Sequence, residues 1–207
     1  MKRLLNIAVL AAIGLMMAPS ATAHGLKSHG VDKVETRNIS ASQGDDKARQ
    51  YFTDTILLTH EGKEVRYYSD LLEGRTVIIS FIFTSCTDAC PLINTTLQRV
   101  QERLKDRIGK DIYILSITVD PEVDTVKVIS DYRKKYKAMD GWLFLTGSAR
   151  NLDIVGQKMG QVFDKEAHLT ALLVGNTKTA RWRKIPANLS DAIIASQVKD
   201  IADGVYD

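Results

Sequence analysis

Cysteine is scarce in this 207-residue chain: Cys86 and Cys90 are the only two. A bridge between residues four apart would close so short a loop that it constrains the unfolded chain less than the roughly 3 kcal/mol of a 15-residue loop. It would be a poor staple, which favours a reactive or metal-binding pair over a purely structural one. Long apolar runs are also lacking. After Met17 no segment is apolar enough to supply the roughly 20 residues that a spanning helix needs, and no cysteine follows that first run to accept a lipid. Charge of one sign is absent as well, since 28 basic residues face 25 acidic ones. Neither a nucleic-acid partner nor an anionic membrane is demanded, and the stretches Arg133-Lys134-Lys135 and Arg181-Trp182-Arg183-Lys184 read as solvated faces. No internal repeat or low-complexity block is present.

What is present begins with Lys2 and Arg3, an apolar run from Leu4 to Met17, and Ala18 to Ala23 ending in an A-x-A pattern. This is the form of a secretory signal, and it predicts cleavage after Ala23, with retention as an inner-membrane anchor as the alternative. The expected organisation is a signal peptide at 1–23, a flexible polar tail at 24–52 and one domain at 53–207. The mature chain of about 184 residues then carries a net charge of +1 and is expected to be soluble in a bacterial periplasm, with no membrane insertion.

Within the domain, Ile56 to Thr59 and Val65 to Tyr68 flank the turn His60-Glu61-Gly62-Lys63 and predict a β-hairpin. Ser69 is expected to cap a short helical turn that Gly74 stops. Thr76 to Phe83 is almost wholly apolar, β-branched or aromatic, as a strand covered on both faces should be. From Pro91 the positions Leu92, Leu97, Val100, Leu104 and Ile108 recur at helical spacing up to Gly109. A second buried strand spans 112–119, followed by a helix from about Thr125 to Tyr136, a strand at 142–145 and a helix from about Ala149 begun by Ser148. A strand at 169–174 pairs through Gly175-Asn176-Thr177 with one at 179–184, and Ser190 caps a last helix. Parallel strands joined by helical crossovers, plus antiparallel hairpins, predict an α/β fold: a thioredoxin-like three-layer sandwich with a central mixed sheet and an N-terminal β-hairpin. Trp142 and Trp182 read as packing residues.

The cysteines fall where an apolar strand ends and a helix begins, at the positive end of a helix dipole that stabilises a thiolate. Ligands of α/β sheets sit beyond the carboxyl ends of the strands, which is where Cys86, Cys90 and Asp120 lie. A four-residue offset brings both sulfurs to one side of the first turn, where two soft thiolates select a soft metal such as Cu(I), and an added imidazole would let the site hold Cu(II) too. Of the histidines, His168 opens the strand 169–174, in a loop that such a fold brings alongside the first helix; its other reading is an exposed loop residue. His60 belongs to the hairpin turn. His24 would become the amino terminus after cleavage and could chelate Cu(II) with His29 nearby, against the simpler reading of a disordered tail.

Phe83-Thr84-x-Cys86-x-Asp88-x-Cys90-Pro91, then Ser116-Ile117-Thr118-Val119-Asp120-Pro121-Glu122-x-Asp124-Thr125, then Leu145-Thr146-Gly147 and a histidine opening a strand, resembles the Sco/SenC family in that order. The resemblance runs from about Ile56 to Gly204. It implies a thioredoxin-like, exported copper protein that helps mature the CuA centre of cytochrome c oxidase, with copper held by Cys86, Cys90 and His168. It further implies that Asp120 shapes the site by hydrogen bonding, beside the plainer reading of a strand end. The chain departs from the family pattern at Thr87, where proline is usual, and at Gly175-Asn176, where Asp-Pro is frequent; with cleavage after Ala23 the family's membrane tether is expected to be missing as well.

Two other readings compete. A thiol-disulfide oxidoreductase would attack with Cys86, resolve with Cys90 and need no metal. Such reductants set a cis-proline opposite the cysteines, yet no proline lies between Pro121 and Pro186. A peroxidase of the peroxiredoxin type ranks third, because the proline of its lead-in motif is absent from 81–85.

Overall fold

A computed structural model of the chain describes residues 46–160 and 171–205. Its centre is β3 (Thr76–Ile82), in which every residue is buried. β4 (Ile112–Thr118) lies parallel to it, and β5 (Trp142–Thr146) parallel to β4. On the far side of β3 runs β6 (Ala171–Asn176), antiparallel, followed by β7 (Arg181–Pro186) at the edge. β1 (Ile56–Thr59) and β2 (Glu64–Arg66) form the expected hairpin against β5, so the order across the sheet is β2-β1-β5-β4-β3-β6-β7. This is a mixed sheet with parallel strands at its core.

Both faces of the sheet are covered because β3 alternates its apolar side chains between them. Ile78 and Ile82 face the side on which α2 (Ala89–Arg103), α3 (Val126–Lys135) and α5 (Asp191–Asp203) supply Leu97, Val100, Ile129, Ile194 and Val198. Val77, Ile79 and Phe81 face the other, under α4 (Ala149–Lys158), Tyr67, Tyr68 and Phe52. Three layers result, as the alternation of strands and helices predicts. Helix starts agree with the sequence: the side chains of Thr125, Ser148 and Ser190 accept from the N–H groups of Val128, Asn151 and Ile193.

Several local expectations differ. Residues 46–52, expected in the flexible tail, include a helix, α1, ending at a buried Phe52 whose ring stacks with Tyr68. Tyr67 and Tyr68 are not strand residues but open a single π-helical turn (Tyr67–Leu72) that buries both rings. Ser69 does not cap it; its N–H and hydroxyl both donate to the Asp54 carboxylate at 2.8 Å. Leu92 faces solvent at 68 % exposure, and the helical period inside is carried by Ile93, Leu97 and Val100 instead.

The C-terminal hairpin turns two residues later than expected. β6 continues through Gly175 and Asn176, which pair with Trp182 and Arg181. The reason is a close approach: a Cβ on Gly175 would lie 2.2 Å from the Trp182 ring, so only glycine lets the indole lie across the strand. Asn176 then makes the turn, its side-chain oxygen accepting from the N–H groups of Lys178 and Thr179.

Candidate functional site

The strand β3 ends in the segment 83–88 that carries Cys86, and α2 starts at Ala89 with Cys90 in its first turn. Cys86 N–H donates to the Phe83 carbonyl at 3.1 Å, which turns the chain back on itself. The Cys90 N–H then reaches the Cys86 Sγ at 3.4 Å. Both are free thiols, 8 % and 5 % exposed. Proximity of the two, predicted from a four-residue spacing at a helix start, is what the chain builds.

The environment separates their acidities. Burial pushes the Cys86 thiol up, but the N–H groups of Cys90, Asp88 and Ala89 outweigh it and leave the thiol below its ordinary value. Burial also dominates at Cys90, and there it wins, because the Cys86 sulfur beside it adds to the upward push. A thiol that ionises early next to one that holds its proton is the arrangement of an attacking and a resolving cysteine. The same pair is a soft dithiolate donor set once both protons leave, which fits a soft ion such as Cu(I).

Asp120 lies two residues past the end of the neighbouring strand β4 and is buried at 6 % exposure. Its N–H donates to the Thr118 hydroxyl at 3.0 Å, and its carbonyl accepts the Asp124 N–H at 2.8 Å. It therefore lies at the same end of the sheet as the cysteines, as expected. His60 does not: it bonds the backbone of Phe144, in the middle of β5, and burial lowers its pKa. His168, His24 and His29 lie outside the described residues, as does the signal segment. Among the described residues no three histidine, cysteine, aspartate or glutamate side chains gather to hold an ion. None of the described helices is long and apolar enough to cross a membrane.

The sequence reading gave no part to Asp124. It is fully buried and accepts the Thr84 N–H at 3.1 and 3.2 Å together with the hydroxyls of Thr84 and Thr118. Its one signal was its place in the motif Asp120-Pro121-Glu122-x-Asp124-Thr125, which gives the residue no role of its own.

A mixed sheet flanked by helices on both sides, with paired thiols where a central strand meets a helix, defines a thioredoxin-like protein with a dithiol site. The chain belongs to the SCO1/SenC family, whose model matches residues 42–202. It is 35 % identical over 92 residues to the SCO1 protein homolog of Bacillus subtilis, 44 % of this chain and 46 % of that one. It is 30 % identical over 97 residues to a "Putative copper-binding protein" of Stutzerimonas stutzeri, 47 % of each. The chain thus spans about half the length of these curated relatives. Among solved structures it is similar to BsSco, described as carrying a disulfide switch and as a member of the Sco family of cytochrome c oxidase assembly proteins. That likeness has a TM-score of 0.62 and 26 % identity, over 73 % of this chain and 93 % of the other.

Proposed function

We propose that this chain is an exported copper carrier in which Cys86, Cys90 and His168 hold one copper ion as cargo and pass it to, or prepare, the CuA site of a terminal oxidase. The observation that carries the reading is the free, buried pair Cys86 and Cys90 at the start of α2 in a chain of the SCO1/SenC family. The copper-binding description of a relative supports the metal. For the third ligand, the support is that β6 opens at Ala171 on the side of the sheet where β3 ends, since Leu173 lies opposite Ile79 and Asn176 opposite Thr76. Copper would arrive on the thiolates, and exchange with a partner disulfide, which takes the two electrons and leaves as two thiolates, would join Cys86 to Cys90 and release the metal, since a sulfur in a disulfide has no thiolate to offer.

Copper titration of the reduced protein tests this, with His168→Ala and Cys90→Ser beside it. One tightly held copper per chain in the parent and loss of stoichiometric binding in Cys90→Ser are expected. A Cys90→Ser protein that still holds one copper would sink the scheme. Affinity should also fall as the pH drops, because each ligand must lose its proton to bind.

A second reading, disulfide reduction of a copper-site client, is favoured by the unequal acidities of the two thiols. Equal turnover of a disulfide before and after His168→Ala, in a protein that binds no copper, would select it.

A further inference from the structure

Asp124 is a carboxylate buried with neutral donors around it: the Thr84 N–H, the Thr84 hydroxyl and the Thr118 hydroxyl. A buried carboxyl group is costly unless hydrogen bonds replace its hydration, so the groups that satisfy it are held in place around it. These bonds hold Thr84 firmly. Thr84 stands two residues before Cys86, at the start of the loop that leads from β3 into α2. Thr118 closes the adjacent strand, and the Asp124 N–H is itself fixed on the Asp120 carbonyl at 2.8 Å. Two strand ends and one turn are thus tied at a single point.

We propose that Asp124 is the positioning residue of the cysteine pair, with Thr84 as the arm through which it acts. From the pinned Thr84 the chain folds back, Cys86 N–H to Phe83 carbonyl, and so presents Sγ to the Cys90 N–H. Holding one sulfur beside the other raises their effective concentration toward each other. Untying Thr84 leaves the thiols intact and lets Cys86 wander. The inference rests on the reading of Cys86 and Cys90 as the working pair, but needs no copper.

The test is the equilibrium between the full chain and dithiothreitol in the absence of metal. The two thiols give two electrons and two protons to oxidised dithiothreitol, which becomes the dithiol, while an S–S bond forms between Cys86 and Cys90. Asp124→Asn keeps the volume and replaces one acceptor oxygen by an amide donor, Thr84→Val removes the hydroxyl donor, and Thr84→Ser retains it. Asp124→Asn and Thr84→Val are expected to shift the equilibrium about tenfold toward the thiols, a potential about 30 mV less negative, with Thr84→Ser within about twofold of the parent. Urea unfolding of the reduced proteins is read alongside, since a purely structural role would lower stability and leave the equilibrium in place. Constants within about twofold of the parent for both folded variants overturn the proposal. Where Asp124→Asn does not fold, the contrast between Thr84→Val and Thr84→Ser decides alone. A parent that binds no copper, with the shift present in the variants, sinks the copper reading and keeps this one; copper binding by the parent without the shift in the variants does the reverse.

Discussion

Cys86 and Cys90 are the same side chain four positions apart, and the fold makes them unlike. One sulfur faces three backbone N–H groups; the other is buried beside its partner. Since the thiolate is the nucleophile, iodoacetamide at neutral pH should label Cys86 about tenfold faster than Cys90, read by peptide mass. Equal rates would contradict the assignment of roles. Stability follows with a definite sign. Cys90 ionises later folded than unfolded, so its contribution is complete below the ordinary thiol value of about 8.5 and is lost as the pH rises above it; Cys86, with the opposite shift, loses its contribution as the pH falls. At this scale the sequence was informative about which residues matter. Two cysteines at a strand-to-helix junction are rare enough to point to chemistry by themselves. It was silent on Asp124, because burial of a carboxylate depends on Thr84 and Thr118, 40 and 6 positions away.

Among the elements, strands and helices followed their periods, and the misses came where one side chain overruled a local signal. Gly175 and Asn176 look like a turn, yet they are strand residues because the Trp182 ring lies on Gly175. Gly175→Ala should therefore cost about 1–3 kcal/mol in urea unfolding, as overpacking does. In a Trp182→Ala background the same change should cost much less, and an unchanged cost there would refute the contact as the cause. Tyr67 and Tyr68 carry strand propensity but are drawn into a π-helical turn, where the second face of the sheet buries both. The helix at 46–52 is short and polar at its start, and its signal is the aromatic pair Tyr51 and Phe52, which stack edge to face at 4.9 Å.

For the whole molecule, one sheet serves two cores, so neither face can melt while the other stays intact. The two tryptophans report on the two sides. Trp142 is fully buried under α3, its Nε1–H donating to the Ser116 hydroxyl at 3.0 Å, while Trp182 packs on Phe52 at 5.3 Å on the opposite face. In Trp142→Phe, which leaves Trp182, and in Trp182→Phe, which leaves Trp142, the fluorescence midpoint in urea should coincide with the circular dichroism midpoint of the same protein. Separate midpoints would show that the faces unfold independently.

The amino-acid sequence by itself determined the order of strands and helices from β3 onward, the covered central strand, the helix starts at Ser148 and Ser190, and the junction bearing Cys86 and Cys90. Each of these depends on residues within a few positions of one another, where periodicity and backbone preference act. Only the tertiary structure decided which thiol ionises first, which glycine must stay a glycine, and which aspartate ties the cysteine loop in place. Those depend on groups that meet only when distant parts of the chain pack and exclude water, and a linear pattern carries no record of such meetings.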